Sequence, residues 1–228
     1  MNIVVLSGAG MSAESGLRTF RDSNGLWEGH DVMEVASPQG FARNPNLVLD
    51  FYNQRRRQLL EVEPNTGHLA LAQLEEHHHV QIVTQNVDDL HERAGSSQVT
   101  HLHGELFKVR STKDPSIVME WREDILLGDL CPIGSQLRPH IVWFGEAVPL
   151  MDKAIDIVQQ ADAVMVVGTS MQVYPAAGLV DLSPYTSPVY FIDPNPALDS
   201  SSRIRVIPKT ATQGIPEAIS MINQLTPR

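Results

Sequence analysis

The sequence predicts an α/β fold, a Rossmann-like doubly wound parallel sheet with a small inserted module. Short apolar runs recur at Ile3–Leu6, Val80–Val83, Ala163–Val167 and Val189–Ile192. Runs apolar on both faces are expected when helices cover both sides of a sheet. Helical patterns at 47–60, 68–74 and 151–160 separate them, and strand–helix alternation argues for a doubly wound sheet. Each run also stops at a polar or glycine-containing turn: Ser7-Gly8-Ala9-Gly10, Thr84-Gln85-Asn86, Gly168-Thr169-Ser170 and Asp193-Pro194-Asn195. Ligands bind beyond the carboxyl ends of such strands, so these four turns should share one crevice.

Residues 105–140 break the alternation. They mix charge, Pro and Gly around a weak strand signal at Ile117–Trp121, and residues 22–45 are similarly irregular. The chain therefore reads as one domain. Its large part covers about 1–21, 62–104 and 141–228, and its small module about 22–61 and 105–140. Ile117, Val118, Met119, Trp121, Ile125, Leu126 and Leu127 are expected to pack the module.

A formal net charge of −10 makes the chain a poor nucleic-acid binder, because phosphate contacts need clustered Lys and Arg. The one cysteine, Cys131, supports neither an internal disulfide nor a Cys-based zinc site by itself. Met1–Leu6 reads as a strand rather than a signal peptide, and the apolar run at Ala163–Val167 is too short to span a bilayer. We expect a monomeric cytoplasmic protein without nucleic-acid or membrane partners. The His77-His78-His79 run reads as a solvated helix end, since adjacent residues on one turn do not share a face.

Gly8-Ala9-Gly10-Met11-Ser12-Ala13 fits G-x-G-x-x-G/A directly after the first strand. Glycines let the backbone approach a pyrophosphate, and a following helix N-terminus offers N–H groups to it; a tight turn without ligand would need glycine too. The acidic residue usual about 20 positions on is not visible, which argues against a nicotinamide dehydrogenase. Beyond the loop, Arg18, Arg21 and Phe20 read either as a surface loop or as a lid over a dinucleotide. At the second turn, Gln85, Asn86 and Asp88 suit an amide or ribose hydroxyls, or a cap on a helix at Asp89–Ala94. By strand alternation His101 and His103 should share a face; a histidine beside a ribose could be a general base or purely structural.

Taken together, Gly8–Gly16, Thr19-Phe20-Arg21, Gln85-Asn86-Val87-Asp88, His101-Leu102-His103-Gly104, Arg138–Glu146 and Gly168-Thr169-Ser170 resemble the sirtuins in order and spacing over essentially the whole chain. The resemblance implies an NAD-binding Rossmann-type domain, with acyl-lysine proteins entering between it and the module. It implies that Gly8, Ala9, Gly10 and Ser12 line the phosphates and that Thr19, Phe20 and Arg21 form a mobile loop. Gln85 and Asn86 would contact ribose, and Asp88 the nicotinamide amide. Gly168, Thr169, Ser170, Asp193, Pro194, Asn195 and Ala211 would hold the adenosine half. Ala13, Glu14, Trp27 and Val87 complete the implied cofactor set. His103 would be the base, deprotonating a ribose hydroxyl after the acyl oxygen has attacked C1′ and nicotinamide has left, so that the acyl group ends on ADP-ribose. Val142, Phe144, Gly145, Glu146 and Val173 would clamp the substrate peptide as an added strand.

Tyr52 and Arg55 lie three apart on a predicted helix and share a face. They look like the Tyr-x-x-Arg signature of the sirtuin branch that removes succinyl and malonyl groups, and acetyl removal is expected alongside. The alternative is a basic helix face paired with Glu61 and Glu63. Most sirtuins carry four zinc-binding cysteines in the module, whereas here Ser111 and Cys131 stand near two of those places. Four thiolates cannot come from one cysteine, so no zinc is expected. Two rival readings are an NAD-dependent mono-ADP-ribosyltransferase, against which the Tyr52–Arg55 pair argues, and a non-catalytic NAD or ADP-ribose sensor, against which His103 argues.

Overall fold

The computed structural model describes residues 1–17, 26–27, 29–169 and 176–225, with 26–27 and 176 as backbone only. Six parallel strands form the main sheet: β1 (Asn2–Ser7), β4 (His79–Thr84), β5 (Val99–His101), β9 (Ala163–Val167), β10 (Val189–Ile192) and β11 (Ile204–Ile207). Their order is β11-β10-β9-β1-β4-β5. The chain runs outward from β1 to β4 and β5 on one side and returns through β9, β10 and β11 on the other. The order therefore reverses between β1 and β9, the crevice where open sheets place their ligands.

Helices cover both faces, which is why β9 and β10 are buried at every position. On one face α4 (Thr66–Leu74) and α7 (Ala211–Ile222) pack on Ile3, Val5, Ile82, Met165 and Ile192. On the other, α6 (Met151–Val158) and the turn Ala176–Leu182 pack on Val4, Leu6, Val164 and Phe191. β11 was not anticipated. It is an edge strand with Arg205 facing out, so it lacks the two-faced apolar run of its neighbours.

The module is a three-stranded antiparallel sheet, β7-β6-β8, from β6 (Gly104–Ser111), β7 (Val118–Glu120) and β8 (Leu137–Ile141). A two-strand hairpin, β2 (Leu26–Trp27) with β3 (His30–Asp31), precedes α1 (Val32–Val35), α2 (Pro38–Arg43) and α3 (Pro45–Glu61). Asn44 and Ser37 cap α3 and α2, each followed by Pro at the first helical position, the arrangement that satisfies orphan N–H groups at a helix start. α3 docks on the module sheet through buried polar groups. Asn53 bonds both backbone groups of Ile125, at 2.9 and 2.8 Å, and Arg56 Nε donates to the Leu106 carbonyl at 3.1 Å.

The expected module packing needs correction. Ile125 is buried with Leu49, Val109, Cys131 and Leu137, and Ile117, Met119 and Trp121 pack against them. Val118 faces outward by strand alternation, and Leu126 and Leu127 lie in a turn, Leu126 being 61% exposed. The basic run on α3 also divides: Arg56 is buried, Arg57 pairs with Asp124, and Glu63 takes Arg93 instead.

Candidate functional site

The strand-end turns meet as the order reversal requires. Gly8 N–H donates to Val167 O at 3.0 Å and Gly10 N–H to Gly168 O at 2.8 Å. A Cβ on Gly10 would lie 2.6 Å from Gly168 Cα, and one on Gly168 would lie 2.4 Å from the Gly10 carbonyl carbon. The glycines are thus required first by the contact between the two turns.

The helix expected after the glycine loop is absent. Ala9–Met11 and Ala13–Ser15 form two 3-10 turns, ended by Gly16 at φ 98°. External ties hold them: Asn65 Nδ2 donates to Met11 O and Ser15 Oγ, and Ser12 Oγ donates to Asp88. Gly8, Gly10, Met11 and Ser12 spend their N–H groups inside the structure. Among the described residues the N–H groups of Ala9, Ala13 and Glu14 meet no acceptor. Three such donors on one short loop fit the pyrophosphate of a dinucleotide. Glu14 itself turns away: its carboxylate accepts from Thr212 N–H at 3.0 Å and Thr212 Oγ1 at 2.7 Å. It caps α7, where negative charge opposes the helix dipole, while Ala211 is buried beside it.

The turn after β4 is gripped at nearly every polar atom. Gln85 N–H donates to Ser7 O, and its side chain reaches Thr169 Oγ1 at 3.4 Å. Asn86 N–H donates to Thr84 Oγ1 and its side chain to Ser12 Oγ. Asp88 accepts from Ser12 Oγ at 2.9 Å and Leu90 N–H at 3.2 Å. Burial raises its carboxyl to about 6, against those hydrogen bonds. It is therefore mostly ionised at neutral pH and able to accept from an amide. Val87 backs the turn, its carbonyl accepting from Leu106 N–H. Beneath lies a layer not singled out from sequence: Ser7 Oγ donates to Thr84 Oγ1 at 2.9 Å and is 3.1 Å from His91 Nε2. Ser7 and Thr84 stand opposite each other in the β1–β4 register.

His101 and His103 do not occupy one strand face as expected. β5 ends at His101, and Leu102 and His103 form the turn into β6. Each ring grips one carbonyl of the β4 turn instead: His103 Nδ1 lies 3.1 Å from Gln85 O, and His101 Nδ1 3.0 Å from Asn86 O. A carbonyl only accepts, so His103 carries its proton on Nδ1 and presents a bare Nε2. Burial holds His103 below the usual imidazole value, against the Gln85 bond, so it is neutral at pH 7.

On the module side Tyr52 is fully buried, and its oxygen accepts from Trp143 Nε1 at 3.0 Å. Burial pushes its phenol far up, so it stays protonated. Arg55, one turn away, lays its guanidinium 4.5 Å from the Phe51 ring centre. Phe144 is 43% exposed, and its N–H donates to Ala36 O. Val142 is half-buried and Gly145 adopts φ 88°. Glu146 is committed inward. It accepts from Arg138 at 2.7 and 3.0 Å, Arg110 at 2.9 Å and Trp143 N–H at 2.8 Å. This cluster supplies the counter-charge that two nearly buried guanidiniums need, and it leaves the expected added-strand clamp to the backbone of this segment. Asp193 is buried at the end of β10 and accepts from Asn195 N–H, with Pro194 exposed between them. Thr19, Phe20, Arg21, Ser170 and Val173, with Arg18, lie outside the described residues, and Trp27 enters only through backbone pairing with His30.

Residues 8–175 match the Sir2 family. The chain belongs to the Sir2 family. It is 64% identical over 193 residues to an "NAD-dependent protein deacylase" of Helicobacter pylori, covering 85% of this chain and 84% of that one. It is 53% identical over 223 residues to a protein of the same name from Bacteroides thetaiotaomicron, covering 95% of each. Among solved structures, a Sir2 homolog–NAD complex superposes with a TM-score of 0.86 at 38% identity, over 98% of this chain and 90% of that one. A Sir2–p53 peptide–NAD⁺ complex gives 0.80 at 26% identity, over 97% and 93%.

In the module Ser111 and Cys131, the two residues expected near cysteine places, are joined through Ser135: Ser111 Oγ lies 2.6 Å from Ser135 Oγ, which lies 3.1 Å from Cys131 Sγ. Neutral hydroxyls with one thiol do not fit a four-thiolate zinc site, and no cluster of three metal-ligating side chains occurs among the described residues.

Proposed function

We propose that this Sir2-family chain is an NAD-dependent protein-lysine deacylase that uses His103 as base, removes acetyl groups, and also takes the acidic succinyl and malonyl groups at Tyr52 and Arg55. The observation that carries the catalytic reading is the hydrogen bond of His103 to Gln85 O. It fixes the ring so that a neutral imidazole offers its Nε2 lone pair beside the turn assigned to the ribose. When bound, NAD⁺ supplies the electrophilic ribose carbon and the leaving nicotinamide. The chain's part is to cradle the pyrophosphate on the Ala9, Ala13 and Glu14 N–H groups, to hold the nicotinamide amide with Asp88, and to take a hydroxyl proton at His103.

The acyl specificity rests on α3. Tyr52 accepts from Trp143, so its O–H serves as a donor, and Arg55 on the same face brings a positive charge. A donor and a guanidinium together suit a carboxylate. The module is proposed to hold without zinc, through the Ser111–Ser135–Cys131 contacts and the Ile125 cluster.

Mass spectrometry of matched acetyl- and succinyl-lysine peptides, with and without NAD⁺, tests the reading. NAD-dependent loss of acyl mass with O-acyl-ADP-ribose appearing is expected on both. Arg55→Met should cut succinyl turnover roughly 10- to 100-fold, the worth of a charged hydrogen bond, and spare acetyl turnover. Equal losses on both peptides would refute the specificity, and transfer of ADP-ribose to the protein would favour a transferase.

A further inference from the structure

We propose that His101 is a positioning residue for the nucleotide site: as an imidazolium bridging Glu92 and the Asn86 carbonyl it holds the Gln85–Asn86 turn in its binding shape, and loss of its proton releases that turn. The inference rests on the reading of this turn as part of the nucleotide site. His101 is buried, with Nδ1 3.0 Å from Asn86 O and Nε2 2.7 Å from Glu92 Oε1. Both partners are acceptors, and a neutral imidazole has one N–H. Only the doubly protonated ring satisfies both. When the proton leaves, the remaining N–H stays with the carboxylate, because charge-assisted bonds are the stronger, and a bare Nδ1 then faces the Asn86 oxygen.

The surroundings favour the charged ring. Burial opposes it, but the Glu92 hydrogen bond and charge, the Asn86 carbonyl and Glu105 on β6 together raise His101 above the usual imidazole value. Glu92 is held low in return. The other titratable groups facing the pair are Asp88 and Asp89 of the β4 turn, His91 on α5 (Leu90–Arg93), His68 on α4 and Lys108 on β6, with Lys153 of α6 lining the adjoining groove. Asn86 is otherwise tied by its N–H and side chain, so His101 is the anchor of its third polar group. His103 holds the preceding carbonyl, and the two histidines thus act on consecutive peptide groups.

The test is ADP-ribose affinity by calorimetry from neutral to alkaline pH, on wild type, Glu92→Gln and His101→Gln, with ¹⁵N NMR of the His101 ring. Wild type should show both ring nitrogens protonated at pH 7 and an affinity that falls about five- to tenfold as the ring titrates, the worth of one hydrogen bond. Glu92→Gln should bind like wild type at pH 7 and lose the alkaline fall. Its amide can donate to Nε2 of a neutral ring, leaving Nδ1–H on Asn86. His101→Gln should bind more weakly throughout, with no step. A neutral ring in wild type at pH 7, an unchanged step in Glu92→Gln, or a folded wild type that binds no ADP-ribose would each overturn the proposal. Absence of NAD-dependent deacylation, with this titration intact, would instead count against the deacylase reading alone.

Discussion

Removing the carboxylate of Glu146 should unfold the module side of the site before it affects any chemistry. Arg138 and Arg110 are 9% and 11% exposed and share this one carboxylate, which also accepts from Trp143 N–H. Arg138 further stacks with its guanidinium carbon 3.3 Å from the Trp143 ring centre. Glu146→Ala leaves two nearly buried cations without their counter-charge, a loss of about 3–5 kcal/mol. At about 2–4 °C per kcal/mol for a chain of this size, the thermal midpoint should fall on the order of 10 °C. Urea unfolding and thermal melts of wild type, Glu146→Ala and Glu146→Gln measure the two quantities, the amide variant losing less because it keeps its shape. The contribution is also pH-dependent. Burial pushes Glu146 up, but the Arg138 and Trp143 hydrogen bonds and the two arginine charges outweigh it and hold the group below its ordinary 4.5. A depressed carboxylate stabilises fully above its unfolded value and loses that stability as pH falls through the folded one. Wild type should therefore lose its advantage over Glu146→Ala below about pH 4.5. A Glu146→Ala stability within about 0.5 kcal/mol of wild type would refute the reasoning. A raised peptide KM with unchanged stability would show that the Glu146 carboxylate acts in the substrate clamp rather than in the fold.

Gly10→Ala should destabilise the fold by roughly 1–3 kcal/mol and abolish stabilisation by ADP-ribose, because its Cβ meets Gly168 backbone rather than a movable side chain; a wild-type melting shift on adding ADP-ribose would contradict this. A strong chelator should leave the thermal midpoint unchanged, and a fall of several degrees would show that a bound metal contributes to folding.

The sheet was legible where burial on both faces left an uninterrupted apolar run. β9 and β10 coincide with the runs read at Ala163–Val167 and Val189–Ile192. β11 escaped because an edge strand carries Arg205 on its open side. The glycine loop was legible as a turn, but not as two 3-10 turns. That form depends on Asn65 and Asp88, which approach from distant segments. The same limit applies to Glu14 and Glu146. Only the resemblance singled them out, and the partners of their carboxylates, Thr212 for one and Arg138 and Arg110 for the other, are brought near only by the folded chain. Alternation placed His101 and His103 on one face because it assumed that β5 continued past His101.

The bond between Glu14 and Thr212 joins residues 198 apart in sequence, and β1 lies between β4 and β9 at the centre of the sheet. Within this chain β1 must therefore wait for β9, a partner made much later. At about 5–20 residues per second, the interval between Glu14 and Thr212 is roughly 10–40 s. Until then the nucleotide floor has its glycines but lacks the helix that holds Glu14, so over that interval the nascent chain cannot shelter in its own ligand.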